Sequence, residues 1–181
     1  LQRIILQLVH RNQYGFLKGR TIQDCLAWAY QYIYQCHASG REIILLKLDF
    51  AKAFNTVAHA PMINIMRHMG FNERWISWIN CLCSSSRSSV LLNGVPGRQF
   101  PCRCGVRQGD PLSPLLFILC IDPLHRLLEA ATRSGALSPI PCSAERMRTS
   151  LYVDDAFIFA NPSRLEVDSL LQILASFGDA T

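Results

Sequence analysis

The chain is 181 residues long and half hydrophobic, which excludes a disordered or low-complexity protein and suits one domain or two small lobes around a sizeable core. Eighteen basic residues against thirteen acidic ones give a net charge of +5, and fifteen of the eighteen are arginine, the side chain suited to bidentate phosphate contacts. Residues 1–120 are basic, whereas 121–181 carry eight acids against five bases. That asymmetry fits a polyanion partner beside a cluster of carboxylates, and a plain surface asymmetry would look the same.

In chain order, Thr21–Ala38 reads as a helix started by Thr21 and Asp24 and ended by Gly40. Ile43–Leu48 is a dense apolar run ending at Asp49, as in a buried strand. His59–Met69 and Glu73–Cys83 read as helices, the first stopped by Gly70 and the second placing Trp75 and Trp78 one turn apart. Ser88–Phe100 alternates around Asn93-Gly94, a hairpin signal. Leu112–Glu129 reads as a long apolar helix that Pro123 is placed to kink, and Arg133–Arg148 as a loop. Thr149–Ala160 reads as a hairpin with Asp154 and Asp155 in its tight turn, and Arg164–Phe177 as a closing amphipathic helix. Strands and helices mix without a βαβ repeat, so the class is α+β.

Eight cysteines with no leader segment visible read as free, buried thiols of a reducing compartment. Cys81-x-Cys83 and Cys102-x-Cys104 are too closely spaced for a zinc site, and His68 and His125 fall in no ligand register. The longest apolar run, Leu115–Ile121, is far short of a membrane span. The chain opens on Leu1 inside an apolar run and stops just after an amphipathic one, so it is expected to be a piece of a longer protein.

The informative residues are acids. Asp49 ends a strand expected to be buried, and Asp154 and Asp155 are adjacent. Acids so placed are costly unless paired or bound to a cation, and three such carboxylates make a hard oxygen site suited to Mg²⁺. Read alone, Asp154-Asp155 is equally an ordinary solvated turn and Asp49 a helix N-cap. Two further strings surround them. Arg107-Gln108-Gly109-Asp110-Pro111-Leu112-Ser113-Pro114 offers a charge, an amide and a close backbone approach ahead of a helix, or is simply a Pro-rich helix start. Gly15-Phe16-Leu17-Lys18-Gly19-Arg20 is a basic, glycine-flanked loop, able to hold a triphosphate or to serve as a plain turn.

Together and in order, these segments resemble the reverse transcriptases of non-LTR (LINE-type) retrotransposons, the plant-like subgroup most closely. Asn12–Asp24 (NQYGFLKGRTIQD) is similar to the family's fingers motif, Lys47–Val57 (KLDFAKAFNTV) to its first palm motif, Gly105–Leu116 (GVRQGDPLSPLL) to its second, and Tyr152-Val153-Asp154-Asp155 to its third. The resemblance implies a right-hand polymerase, with residues 1–42 mainly fingers, 43–181 mainly palm with finger elements, and no thumb. It implies two Mg²⁺ ions, with Mn²⁺ as an alternative, held by Asp49, Asp154 and Asp155 with help from the Phe50 carbonyl. Such ions activate a primer 3′-hydroxyl and stabilise leaving pyrophosphate.

By the same resemblance Phe54 takes the steric-gate position against a ribose 2′-hydroxyl. Lys18 and Arg20 face the incoming triphosphate, Arg20 being the better phosphate ligand, and Gln108 and Gly109 contact nucleotide and template. The implied partners are an RNA template, a DNA primer and dNTPs, with no membrane, in an intracellular setting of cytoplasm and nucleus. Two departures stand out: Asn55 replaces the usual Asp, and Val153 a usual small residue. The alternatives are an inactive nucleic-acid-binding remnant and a related polymerase such as a group II intron maturase or an RNA-templated RNA polymerase. Phe54 argues for dNTPs, and the GVRQGDPLSP string for the LINE type.

Overall fold

Local sequence signals set most helix limits. The computed structural model describes residues 1–141 and 148–181; Cys142 and the end of the expected 133–148 loop lie outside them. A one-turn helix α1 (Ile5–Leu8) precedes α2 (Ile22–Ala38). Thr21 and Asp24 form a reciprocal capping box at the start of α2, satisfying two backbone donors that a helix terminus otherwise leaves orphaned. After the strand β1 (Ile44–Asp49) come a short turn of helix α3 (Ala53–Thr56), then α4 (His59–His68) and α5 (Glu73–Ser84). The Asn72 side chain caps α5 by accepting the Arg74 N–H at 2.8 Å.

Helix α6 (Ser113–Ser134) corrects one expectation. Pro123 lies inside it, as expected, but the helix runs five residues past Glu129. Residues 130–134 include two alanines, and the stop is Gly135, whose φ of +82° suits a left-handed C-terminal cap. The closing helix α7 spans Arg164–Ala180.

The expected 88–100 hairpin is built as two short ladders. β2 (Arg87–Ser88) pairs with β5 (Phe100–Pro101), and β3 (Leu91–Leu92) with β4 (Val95–Pro96) around Asn93-Gly94, both at positive φ. The central sheet is antiparallel, in the order β1, β7 (Asp155–Ala160), β6 (Thr149–Tyr152). Contrary to expectation, β1 is not a buried strand. It is an edge strand, with only Leu46 and Leu48 packed against the core and Leu45 42% exposed.

One sheet face, with Leu46, Leu48, Leu151, Ala156 and Ile158, packs into the main core with α4 and α6, whose Met66, Ile118, Leu119 and Leu124 are fully buried. On the other face α2 roofs the Phe159 end, with Trp28 and Tyr32 meeting the Phe159 ring edge-on at 5.5 and 4.7 Å. Seven cysteines lie among the described residues. Four are buried, but Cys81 and Cys104 are exposed and Cys102 is half-buried. Burial pushes the Cys120 thiol up to about 12.

Beneath the sheet a polar cluster ties the N-terminal segment to α6. The Asp122 carboxylate, with no side-chain exposure, accepts the His10 backbone N–H at 2.5 Å and the Arg126 Nε–H at 2.7 Å. The His10 ring stacks on His125 with centroids 4.3 Å apart, and His125 Nδ1 hydrogen-bonds Thr149 Oγ1. Burial, followed by His10, Arg20 and Arg126, holds the His125 pKa well below 6.5.

The unfolded chain therefore takes up a proton near pH 6.5 that folded His125 refuses. Stability is expected to be level, as far as this residue is concerned, above about pH 6.5 and to fall below it until the folded pKa is reached, by at most about 1.4 kcal/mol per pH unit. Urea unfolding of the wild type and of His125→Gln between pH 7.5 and 5.5 checks this. A slope that survives the substitution would assign it elsewhere.

Candidate functional site

The antiparallel register of β1 on β7 sets Asp49 directly opposite Asp155, at the end where both carboxylates leave the roofed part of the sheet. Side chains so paired lie on one face with Cβ atoms about 5 Å apart. Asp155 is the first residue of β7 rather than a turn residue. The turn is Val153-Asp154, and the backbone N–H of Phe50 donates to the Asp154 carbonyl at 3.3 Å, joining the strand end of β1 to the turn. The Lys47 Nζ, two residues before Asp49 on the same face, stands 3.3 Å from Asp155 Oδ1. Asp49 and Asp155 are thus brought together, and the spot already draws a cation. As the side chains stand, no group of three His, Cys, Asp or Glu among the described residues is gathered closely enough to hold a metal ion. Two opposed carboxylates fit a divalent cation by donor chemistry, and Asp154 lies in the adjoining turn.

Val153 takes φ +57°, uncommon for a β-branched residue and a source of local strain, and it is buried. What holds it is the N-terminal loop. Tyr14 N–H donates to the Leu151 carbonyl at 2.8 Å, Leu151 N–H to the Asn12 carbonyl at 2.9 Å, and the buried Asn12 amide to the Thr149 carbonyl at 2.7 Å. Gln13 bridges Leu151 in parallel, so Asn12–Tyr14 lies along the free edge of β6. Gly15 then touches the turn itself. A Cβ there would stand 2.4 Å from Val153 Cγ2 and 2.7 Å from its backbone nitrogen, so the approach excludes any other residue without displacement.

The remaining residues singled out in the sequence fall in three places. Phe50 is half-buried against the core, and its carbonyl accepts the Ala53 N–H at 3.1 Å, leaving one lone pair. Phe54 is half-buried, its ring tilted on Phe117 with centroids 5.1 Å apart. Gly105 and Val106 are laced to this turn by N–H donation to the Val57 and Phe54 carbonyls at 2.8 and 2.7 Å. Gln108 and Gly109 are exposed in the tight turn before α6; Gly109 takes φ +88°, and Asp110 closes the turn and caps Leu112.

Lys18 is exposed in its loop. Arg20 is half-buried. Its Nη1 donates to the His10 and Gln13 carbonyls at 2.7 and 2.6 Å, so it braces the loop, and burial lowers its pKa. That bracing role was invisible in the sequence, where Arg20 was the stronger phosphate candidate.

A family model described as reverse transcriptase (RNA-dependent DNA polymerase) matches residues 1–180. The chain belongs to the reverse transcriptase family. The reverse transcriptase domain is 28% identical over 160 residues to the transposon TX1 149 kDa protein of Xenopus laevis, a match covering 88% of this chain and 12% of that protein. It is 27% identical over 166 residues to the Pol polyprotein of the retrotransposable element R2DM of Drosophila melanogaster, covering 92% of this chain and 15% of the polyprotein. A mitochondrial protein of Arabidopsis thaliana is 46% identical over 68 residues, covering 36% of this chain and 55% of that protein. The domain thus spans only a small fraction of the retrotransposon polyproteins it matches. No helix among its described residues is long and apolar enough to cross a membrane.

Proposed function

We propose that this reverse transcriptase domain carries the polymerisation centre of an RNA-directed DNA polymerase of a non-LTR retrotransposon, extending a DNA primer on an RNA template with dNTPs. The observation that carries this is the register that opposes Asp49 to Asp155 at paired strand ends, with Asp154 in the adjoining turn, in a chain that matches the family from residue 1 to 180. Residues 1–42 are assigned mainly to fingers and 43–181 mainly to palm, working in cytoplasm and nucleus. Two Mg²⁺ ions would be held by Asp49, Asp154, Asp155 and the free lone pair of the Phe50 carbonyl. When bound they supply activation of the primer hydroxyl and charge stabilisation of pyrophosphate.

The chain's own residues do the positioning. The ladder of β1 on β7 fixes two carboxylates, and the Asn12–Gly15 loop holds the turn that carries the third. Lys47 balances the Asp155 charge when no ion is bound, which keeps the opposed acids compatible with a folded strand end. Lys18 is the loop cation open to a triphosphate, and Gln108 with Gly109 offers an amide and an unobstructed backbone beside the nucleotide and template. The test is primer extension on an RNA template with Mg²⁺, using a polypeptide continued beyond Thr181, with Asp49→Asn as the negative control. Extension that is absent in the wild type, or equal in the control, overturns the proposal.

Phe54 is proposed as the gate against ribonucleotides, its ring braced from behind by Phe117. Phe54→Val is expected to raise the rNTP/dNTP ratio of kcat/KM at least tenfold. Its stability cost should stay below the roughly 3–5 kcal/mol of full truncation to Ala. An unchanged ratio in a folded, active variant would leave Phe54 a core residue only.

A further inference from the structure

The ladder that opposes Asp49 to Asp155 also delivers a lysine to them. Lys47 stands opposite Phe157 in the register, two residues before Asp49 and on the same face of β1, so Asp155 is its diagonal cross-strand neighbour. Diagonal neighbours lie about 7–8 Å apart, a gap that a long, flexible side chain can span. The ammonium does span it, with Nζ 3.3 Å from Asp155 Oδ1.

Stability does not account for this contact. The two side chains are 62% and 49% exposed, and an exposed pair favours its closed form by roughly fivefold at most. Protection of an edge strand does not account for it either. A lysine that only keeps β1 from pairing with another chain needs no partner, whereas this one leans on an acid of the proposed centre. The next lysine, Lys52, is exposed and makes no ion pair among the described residues. An ammonium resting on one of two opposed carboxylates competes with a divalent cation for the same oxygens. Lysine suits that use, being a single charge on a flexible stem that lets go easily, where the planar fork of arginine would clamp both oxygens.

We propose that Lys47 is a tethered counterion of the carboxylate pair. It neutralises Asp155 when no divalent ion is bound and swings away when one binds, so it sets how much metal the centre needs. This rests on the reading of Asp49 and Asp155 as metal ligands. Lys47 itself is a positioning residue that acts through Asp155.

The test is Mn²⁺ binding to the 181-residue chain, followed by loss of the free-ion EPR signal, without nucleotide or nucleic acid. Mn²⁺ takes the same carboxylate oxygens as Mg²⁺. Lys47→Met keeps a long apolar stem and removes the charge, and is expected to bind Mn²⁺ at least about threefold more tightly than the wild type. Lys47→Arg should bind no more tightly than the wild type. Lys52→Met loses the same charge nearby and should stay within about twofold of the wild type. Beside Asp155→Asn, Lys47→Met should gain less than about twofold, because the partner it competes for is gone. In EDTA at low salt the thermal midpoint of Lys47→Met should lie below that of the wild type, and added Mn²⁺ should raise it further than it raises the wild type. A gain below about threefold in Lys47→Met, an equal gain in Lys52→Met, or a gain undiminished beside Asp155→Asn would each overturn the inference. A lysine serving only the strand would lower the midpoint and leave the Mn²⁺ affinity unchanged. Those results leave the polymerase reading standing. Its metal site fails in a different way, with the wild type and Asp155→Asn binding Mn²⁺ alike, and primer extension decides the activity separately.

Discussion

Asp154→Asn, in a polypeptide continued beyond Thr181, is expected to lower RNA-templated primer extension by at least about 10³-fold while leaving the fold intact, a loss at the upper end of what removing one stabilising group from a reacting charge produces. The substitution keeps shape and removes charge. The turn is held through the Asp154 backbone carbonyl, which accepts from Phe50, and through Gly15 packed on Val153, and neither involves the carboxylate. A carbonyl oxygen of an amide is a weaker ligand for a hard divalent ion than a carboxylate, and two acids cannot neutralise what three can. Asp49→Asn should behave alike. Thermal unfolding within a degree or two of the wild type, together with abolished extension, is the expected pair of results. Near-normal rates in either variant would remove the carboxylates from the chemistry.

Glu166→Ala is expected to destabilise the domain by about 3–5 kcal/mol, because it strands a buried guanidinium. Arg148 and Glu166 have side chains only 3% and 5% exposed, and their ion pair closes at 2.6 Å. Arg148 also donates to the Phe159 carbonyl at 3.0 Å and to the Ser138 carbonyl, while Glu166 accepts the backbone N–H groups of Ser138 and Asn161, both at 3.1 Å. Burial alone would raise the Glu166 pKa. The hydrogen bonds from Asn161 and Arg148 outweigh it and hold the carboxyl below its ordinary value.

The stabilisation from Glu166 is therefore present above about pH 4.5, its unfolded value, and is lost as pH falls through the lower folded pKa. Urea unfolding at pH 7 measures the substitution, and Glu166→Gln, which keeps acceptors without charge, should cost less than Glu166→Ala. A loss under about 1 kcal/mol for Glu166→Ala would show that water replaces the carboxylate.

The residues that carry local signals were legible in the sequence. Thr21 with Asp24, Asn93 with Gly94, and Gly70 set a helix start, a hairpin turn and a helix stop through interactions within a few positions, so their chemistry travels with the string. The order of motifs was legible for the same reason. The exposure of β1 was not, because an apolar run does not say whether one neighbour or two will flank it. Asp155 was misplaced by one residue, since a turn of two and a turn of three look alike until the register with Tyr152 is fixed. The His10–Asp122–His125 cluster and the Arg20 brace pair side chains with partners that only folding brings near, and in the first case over a hundred residues separate them. Nothing in the string marks Arg20 as the brace of its loop and Lys18, one glycine away, as exposed.

The Val153 turn has a consequence for how this domain can be cut. A hairpin whose first turn residue is β-branched at positive φ does not form that turn by its own preference; it is held there by Asn12–Gly15. A polypeptide begun after residue 15 would retain every acidic residue of the proposed centre and all three central strands. It would lack the segment that is packed against the hairpin tip at Val153, leaving the turn to relax toward less strained geometry and carry Asp154 with it. Domain boundaries drawn to start at the first long helix would therefore remove the support of the turn that carries Asp154.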